Sequence, residues 1–305
     1  LYKALICLII NLVIFSKGDV FMRDGKVISF INMKGGVGKT TLCVGLGEYL
    51  ANFKDKKVLF IDIDPQFNTT QSLMDLTENE EAYMQDYRKR ITIRKVFEDT
   101  KSVGEEPTFP EKEDVILNFE TEPNIDLICG TIDLIKDDNS NKHLSKRLKF
   151  FIEERELKDN YDYIFIDCPP TISFYTDAAL YASDYYVIPT RVDRYSILGI
   201  KMLENVVKEM KRYEGLNIKP LGIVYTMRKI GGDTQKSTMI RERFEAEPEV
   251  SSIGVFEKST YIVNDLMVGL QGNISSKYSR SKEHIEEIAE EFLKKLKEEG
   301  VSNEE

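Results

Sequence analysis

Short runs of β-branched, leucine and aromatic residues recur along the chain at 27–32, 58–62, 124–128, 163–167, 185–190 and 220–226. Runs of this length, largely without a polar alternate, predict strands buried on both faces, as in a parallel sheet. Between them the apolar residues are spaced for helices. Leu42, Val44, Leu46, Tyr49 and Leu50 follow residue 40, Leu148, Phe151 and Ile152 fall within 144–157, and Leu203, Val206 and Met210 follow Ser196. Repeated strand-then-helix units predict an α/β fold class, with one doubly wound, mainly parallel sheet and helices on both faces. A last short strand is expected at 252–255. The rhythm breaks over 77–123, which is charged, net acidic and interrupted by Pro107, Pro110 and Pro123, with a helix expected around 90–98. This stretch reads as a solvated elaboration on one domain.

The turn after the first run is Lys34-Gly35-Gly36-Val37-Gly38-Lys39-Thr40-Thr41. Its glycines permit tight turns and let backbone N–H groups approach phosphate oxygens, and the following helix N-terminus adds partial positive charge. Lys39 is placed to reach the β and γ phosphates of a nucleotide, and Thr40 to ligate magnesium through its hydroxyl. An ordinary phosphate loop, Gly-x-x-x-x-Gly-Lys-Ser/Thr, needs glycine where this chain has Met33. The loop is therefore a deviant form with a second lysine at its start. Two further runs end in carboxylates, one in Asp62-Ile63-Asp64-Pro65-Gln66 and the other in Asp167-Cys168-Pro169-Pro170. Ligands of open α/β sheets bind at the carboxyl ends of the strands, so these acids are expected near the phosphates.

Taken together, Lys-Gly-Gly-Val-Gly-Lys-Thr-Thr, Asp-x-Asp-Pro-Gln and Asp-x-Pro-Pro, in that order, resemble the ParA/MinD family of deviant P-loop ATPases. The resemblance spans roughly residues 22–292 and implies the P-loop NTPase fold, a magnesium-dependent ATPase that is weak alone, and ATP and Mg2+ as cofactors. It implies that residues 34–41 hold the nucleotide and that Lys34 reaches across a dimer interface to the partner's phosphates, as an arginine finger does elsewhere. By the same resemblance Asp64 orients or deprotonates the attacking water, Asp62 supports the magnesium shell and Asp167 holds magnesium through water. Residues 171–175 would form a switch-like loop, and Thr226 and Met227 would lie near the adenine.

Composition narrows the partners. The chain has 305 residues and a formal charge of −10, so any nucleic-acid contact must be a local basic patch. Cys7, Cys43, Cys129 and Cys168 have no CxxC spacing, and two histidines make no metal-ligand cluster, so the thiols read as small buried packing residues of a cytoplasmic protein. An electron carrier with a dimer-bridging iron-sulfur cluster would want two positioned cysteines per chain. Residues 1–21 are an apolar extension whose run at 4–15 is short of the roughly 20 residues a membrane helix needs. We expect the functional domain at 22–300, with the extension outside it, a membrane-binding or partner-binding helix being the alternative, and a disordered tail at 301–305.

Within the family, the Asp-Pro-Gln form and the segment Pro189-Thr190-Arg191-Val192-Asp193 look more like ParA/Soj proteins than like MinD. That implies plasmid or chromosome partition, with an ATP-dependent homodimer on nonspecific DNA, nucleoid-associated while ATP is bound, and a ParB-like partner that stimulates hydrolysis. Arg228, Lys229, Lys236, Arg241 and Arg243 are the candidate DNA contacts, supplemented by Lys277, Arg280 and Lys282. The alternatives are a MinD-like ATPase on a membrane surface, or a ParA-like positioner of a cargo other than DNA. A membrane role wants a basic amphipathic C-terminal helix. Here Ile285, Ile288, Ala289, Phe292, Leu293 and Leu296 do form an apolar stripe, but glutamates at 286, 287, 290, 291, 298 and 299 flank it, so the stripe is expected to pack on the core.

Overall fold

The computed structural model describes residues 23–87, 91–98, 108–136, 142–193, 196–231 and 235–301. The expectations for residues 1–21 and for the tail beyond Val301 fall outside these. The strands are Lys26–Phe30 (β1), Val58–Asp62 (β2), Ile116–Asn118 (β3), Ile125–Ile128 (β4), Tyr163–Asp167 (β5), Tyr185–Thr190 (β6) and Lys219–Tyr225 (β7). They form a seven-stranded sheet in the order β3-β4-β2-β5-β1-β6-β7, parallel throughout except for β3 against β4. The main helices are Lys39–Lys54 (α1), Asn68–Leu76 (α2), Arg147–Glu154 (α3), Phe174–Ala182 (α4), Ser196–Glu214 (α5), Gln235–Glu245 (α6) and Ser279–Val301 (α7).

Strand pleating divides the core in two, because successive side chains point to opposite faces. Val27, Ile31, Leu59, Ile61, Ile164 and Ile166 pack with residues of α3, α4 and α5. Ile28, Phe30, Phe60 and Phe165 pack on the other face with α1 and α7. Phe165 sits edge-on to Phe30 at 4.9 Å and to Phe292 at 5.8 Å, which joins the sheet centre to the last helix. The apolar stripe of α7 is thus spent inside the molecule: Ile285, Ile288, Ala289 and Phe292 are all buried. Cys43, Cys129 and Cys168 are buried free thiols whose ionisation burial opposes, so they behave as packing residues.

Three expectations change. Residues 252–255 are not a strand, because Pro248–Ile253 is helical and only Val255 makes a parallel bridge, to Ile223. Pro248 in the first turn favours the helix, and Gly254 at φ +79° ends it. The helix expected around 90–98 is a four-residue turn, Arg94–Phe97, pinned by buried Val96 and Phe97; residues 88–90 fall outside the described ones. The elaboration also contributes β3, whose pairing with β4 adds an antiparallel edge to the sheet.

The order of the three central strands places the site. β5 lies between β2 and β1, with Asp62 beside Asp167 and Asp167 beside Phe30 in register. The two carboxylates and the loop after β1 therefore meet at one point of the carboxyl edge.

Candidate nucleotide site

The glycine-rich loop is held open at its start by Asn32. This buried amide donates to the Pro189 carbonyl at 2.8 Å and accepts from the Lys34 N–H at 3.0 Å, tying the loop to β6. Gly36 and Gly38 have φ of +68° and +76°, the left-handed region that side chains avoid. A Cβ at Gly38 would also meet the Met227 Cε at 3.2 Å. Gly38 is the residue before α1, so the loop ends in the free N–H groups of that helix. A cavity of about 460 Å³ opens over it, lined by the whole of 35–42 together with Asp64, Gln66, Pro170, Thr226, Met227 and Tyr261.

Lys39 is buried and lies 3.4 Å from the Lys34 carbonyl oxygen. Burial lowers the pKa of its ammonium, while Asp167 and Asp64 pull it back up. A phosphate would supply the counter-charge that the loop carbonyl cannot. The Thr40 hydroxyl donates to Asp167 Oδ2 at 2.6 Å, and Thr69, from the first turn of α2, donates to the same oxygen at 2.8 Å. Asp167 Oδ1 is buried without a hydrogen-bond partner. Burial pushes this carboxyl up from its ordinary range, against the two hydroxyls and Lys39.

Asp62 is turned to the protein. Thr70 donates to its Oδ2 through both backbone and hydroxyl, each at 2.8 Å, and the Asp64 N–H donates to Oδ1 at 3.2 Å. These contacts anchor α2 to β2 at the carboxyl edge of the sheet. Asp64 is buried at the cavity wall and accepts from the Gln66 N–H at 2.9 Å. Burial raises its pKa, with that hydrogen bond and Lys39 opposing. Among the described residues no cluster of His, Cys, Asp and Glu side chains could hold a metal ion alone. Thr40 and Asp167, in contact through Oδ2, supply oxygen donors of the kind that suit a hard cation completed by phosphate and water oxygens.

Lys34 forms an ion pair with Asp193, just beyond β6, both side chains being about one-third exposed (34% and 32%). Thr226 closes the far side of the loop, its hydroxyl 2.6 Å from the Val37 carbonyl and 3.0 Å from that of Thr190. Met227 adopts φ +53°, held there by its N–H donating to the Thr260 hydroxyl at 3.1 Å. Of the segment 171–175, Ser173 caps α4 and Phe174 and Tyr175 open it, with Tyr175 donating to the Leu134 carbonyl at 3.0 Å, while Pro170 just before the segment lines the cavity. The basic residues divide as well. Lys229, Lys236 and Arg243 are exposed, whereas Arg228 and Arg241 are half-buried around a separate cavity of about 390 Å³ that also contains Glu245. Asn32, Thr69 and Thr70 did not stand out in the sequence, and Asp193 did so only within the segment 189–193, not as the partner of Lys34. They act through partners dozens of residues away or through short polar turns that no spacing rule marks.

A deviant phosphate loop at the switch of a parallel sheet, with a threonine facing a buried carboxylate, defines a P-loop ATPase. The AAA domain family matches residues 25–219. The sporulation initiation inhibitor protein Soj of Bacillus subtilis is 34% identical over 204 residues, which is 67% of this chain and 73% of that protein. The chromosome-partitioning ATPase Soj of Treponema pallidum is 32% identical over 206 residues, 67% of this chain and 72% of its own. In fold, the chain is similar to a Cyanothece McdA variant in complex with ATP, with a TM-score of 0.70 at 21% identity over 89% of this chain and 97% of that one. It is also similar to a putative plasmid partition protein of Borrelia burgdorferi bound to AMPPNP, with a TM-score of 0.67 at 23% identity over 90% and 100% of the two chains. The chain belongs to the ParA/Soj-type partition ATPases.

Proposed function

We propose that this protein is an ATP-driven DNA-partition switch. The observation that carries the nucleotide half of this reading is the Thr40–Asp167 pair at the loop's end, with the second carboxylate oxygen buried and without a hydrogen-bond partner. Backbone N–H groups of 35–41 and the Lys39 ammonium bind the phosphates. Thr40 and Asp167 would hold magnesium, which would supply positive charge against the β and γ phosphates. Asp64 positions the attacking water and accepts its proton. Thr226 and Met227 border the base. Asp62 holds α2 in place behind them.

Lys34 closes the dimer in this reading. Its ion pair with Asp193 keeps it at the rim within one chain. Reaching the nucleotide of a second copy requires that pair to open, so ATP and dimerisation are coupled through one lysine. The dimer then binds DNA without sequence preference, and a ParB-like partner speeds hydrolysis and release. Lys229, Lys236 and Arg243 are the DNA contacts this reading keeps, because they are exposed to a phosphate backbone. The half-buried Arg228 and Arg241 are less suited to that role.

The deciding experiment compares ATP-dependent binding to random-sequence duplex DNA and to anionic liposomes over a range of salt. Binding to DNA that weakens steeply with salt supports partition. Binding to liposomes alone would turn the assignment toward a membrane-surface ATPase.

A further inference from the structure

Two threonine hydroxyls from different elements converge on one carboxylate oxygen. Thr40 comes from the phosphate loop and Thr69 from the first turn of α2, and both donate to Asp167 Oδ2, at 2.6 and 2.8 Å. Thr69 and Asp167 are both fully buried, and Asp167 Oδ1 has no hydrogen-bond partner. The neighbouring Thr70 binds Asp62, eight residues upstream at the end of β2, whereas Thr69 reaches Asp167, 98 residues away on β5. Because Asp62 and Asp167 lie side by side in register, consecutive threonines staple the start of α2 across two strand ends. The loop 63–67, which carries Asp64, is thereby closed between two anchored points.

We propose that Thr69 is a positioning residue for the cation site: its hydroxyl fixes the Asp167 carboxylate so that Oδ1 is presented to the magnesium shell, and it ties the Asp64 loop to that carboxylate. The inference rests on the magnesium reading given under Proposed function. Thr40 cannot do this alone, since its oxygen must face the cation while its single proton goes to Asp167. Thr69 makes no such double demand, so its donor stays in place whether or not the cation is bound. Without it the carboxylate can rotate about its terminal bond, a soft two-fold torsion.

The test measures the affinity of a fluorescent ADP for the purified full-length protein in EDTA and in Mg2+, and Mn2+ binding to the ADP complex by electron paramagnetic resonance. Thr69→Val should leave the EDTA affinity unchanged and lower the divalent-ion affinity about tenfold, the usual scale for a partner that orients a metal's ligand. Thr69→Ser, which restores the hydroxyl, should return it to the wild-type value. If valine disrupts folding, seen as a lost melting transition, Thr69→Ala is read the same way. The proposal is overturned if the hydroxyl-free variants bind the divalent ion like wild type, if they weaken ADP equally in EDTA, or if serine behaves like valine. A wild-type protein whose ADP affinity ignores Mg2+ would instead remove the magnesium reading itself, and this inference with it.

Discussion

Asp64 and Glu48 are both buried carboxylates raised by desolvation, and they carry opposite consequences. Asp64 sits on the cavity wall, where a raised pKa brings its proton affinity closer to that of a useful base at neutral pH. Asp64→Ala should lower ATP turnover by about 10²-fold or more, the lower end for a lost acid–base group, while ATP-dependent dimerisation measured by light scattering persists. Wild-type turnover in that variant would dismiss the assignment. Glu48, on α1, accepts from Ser276 at 2.8 Å and Asn52 at 3.1 Å, but its Oε2 is buried without a partner. Its folded pKa lies above the ordinary 4.5, so its contribution to stability is full below that value and is lost as pH rises through the folded value. Glu48→Gln should therefore raise the melting temperature at neutral pH and leave it unchanged near pH 4. An equal shift at both pH values would show that packing, not ionisation, is responsible.

Among the elements, α1 shows where periodicity fails. Residues on every side of it are buried, since it is wedged between the sheet and α7, so its apolar pattern announces a helix without saying which face meets what. Gly47 marks the closest approach. A Cβ there would lie 2.3 Å from Cζ of Phe60 and 3.0 Å from Cδ2 of Phe165, two fully buried rings. Gly47→Ala should destabilise the protein by about 1–3 kcal/mol in denaturant titration, the cost of overpacking a core. In an exposed helix the same change would stabilise by up to about 1 kcal/mol, so the sign itself is diagnostic. The acidic elaboration was illegible for a different reason. Its three-residue strand and four-residue helix are too short for any period, and they exist because β4 and the core offer them a surface.

At the scale of the molecule, the proposed coupling of nucleotide to assembly turns on Lys34. Lys34→Ala should abolish ATP-dependent dimerisation in analytical ultracentrifugation. The melting temperature of the nucleotide-free chain should hardly move, because a partly exposed ion pair contributes about 0–1 kcal/mol. A dimer that forms without this lysine would refute its crossing to the partner. The net charge of −10 means that the proposed affinity for DNA must come from a few exposed cations. Replacing Lys236 and Arg243 with alanine should lower the slope of log affinity against log salt by about 0.9 for each phosphate left unpaired, as read by fluorescence anisotropy.

Much of this was written in the chain. The buried strands at 58–62, 163–167 and 185–190 have the boundaries their apolar runs announce, and the loop at 34–41 declares its chemistry through glycine and lysine spacing alone. These are local properties, because a strand's burial and a loop's backbone freedom depend on the residues that compose them. What the fold alone decided is pairing at a distance. The sheet order put Asp167 between Asp62 and the loop, gave Thr69 a carboxylate on another strand, and set Asp193 against Lys34. It also set two arginines of the expected basic patch, half-buried, around a second cavity. A hydrogen bond or ion pair is specified by where two side chains end in space, and a one-dimensional pattern contains that information only after the chain has folded.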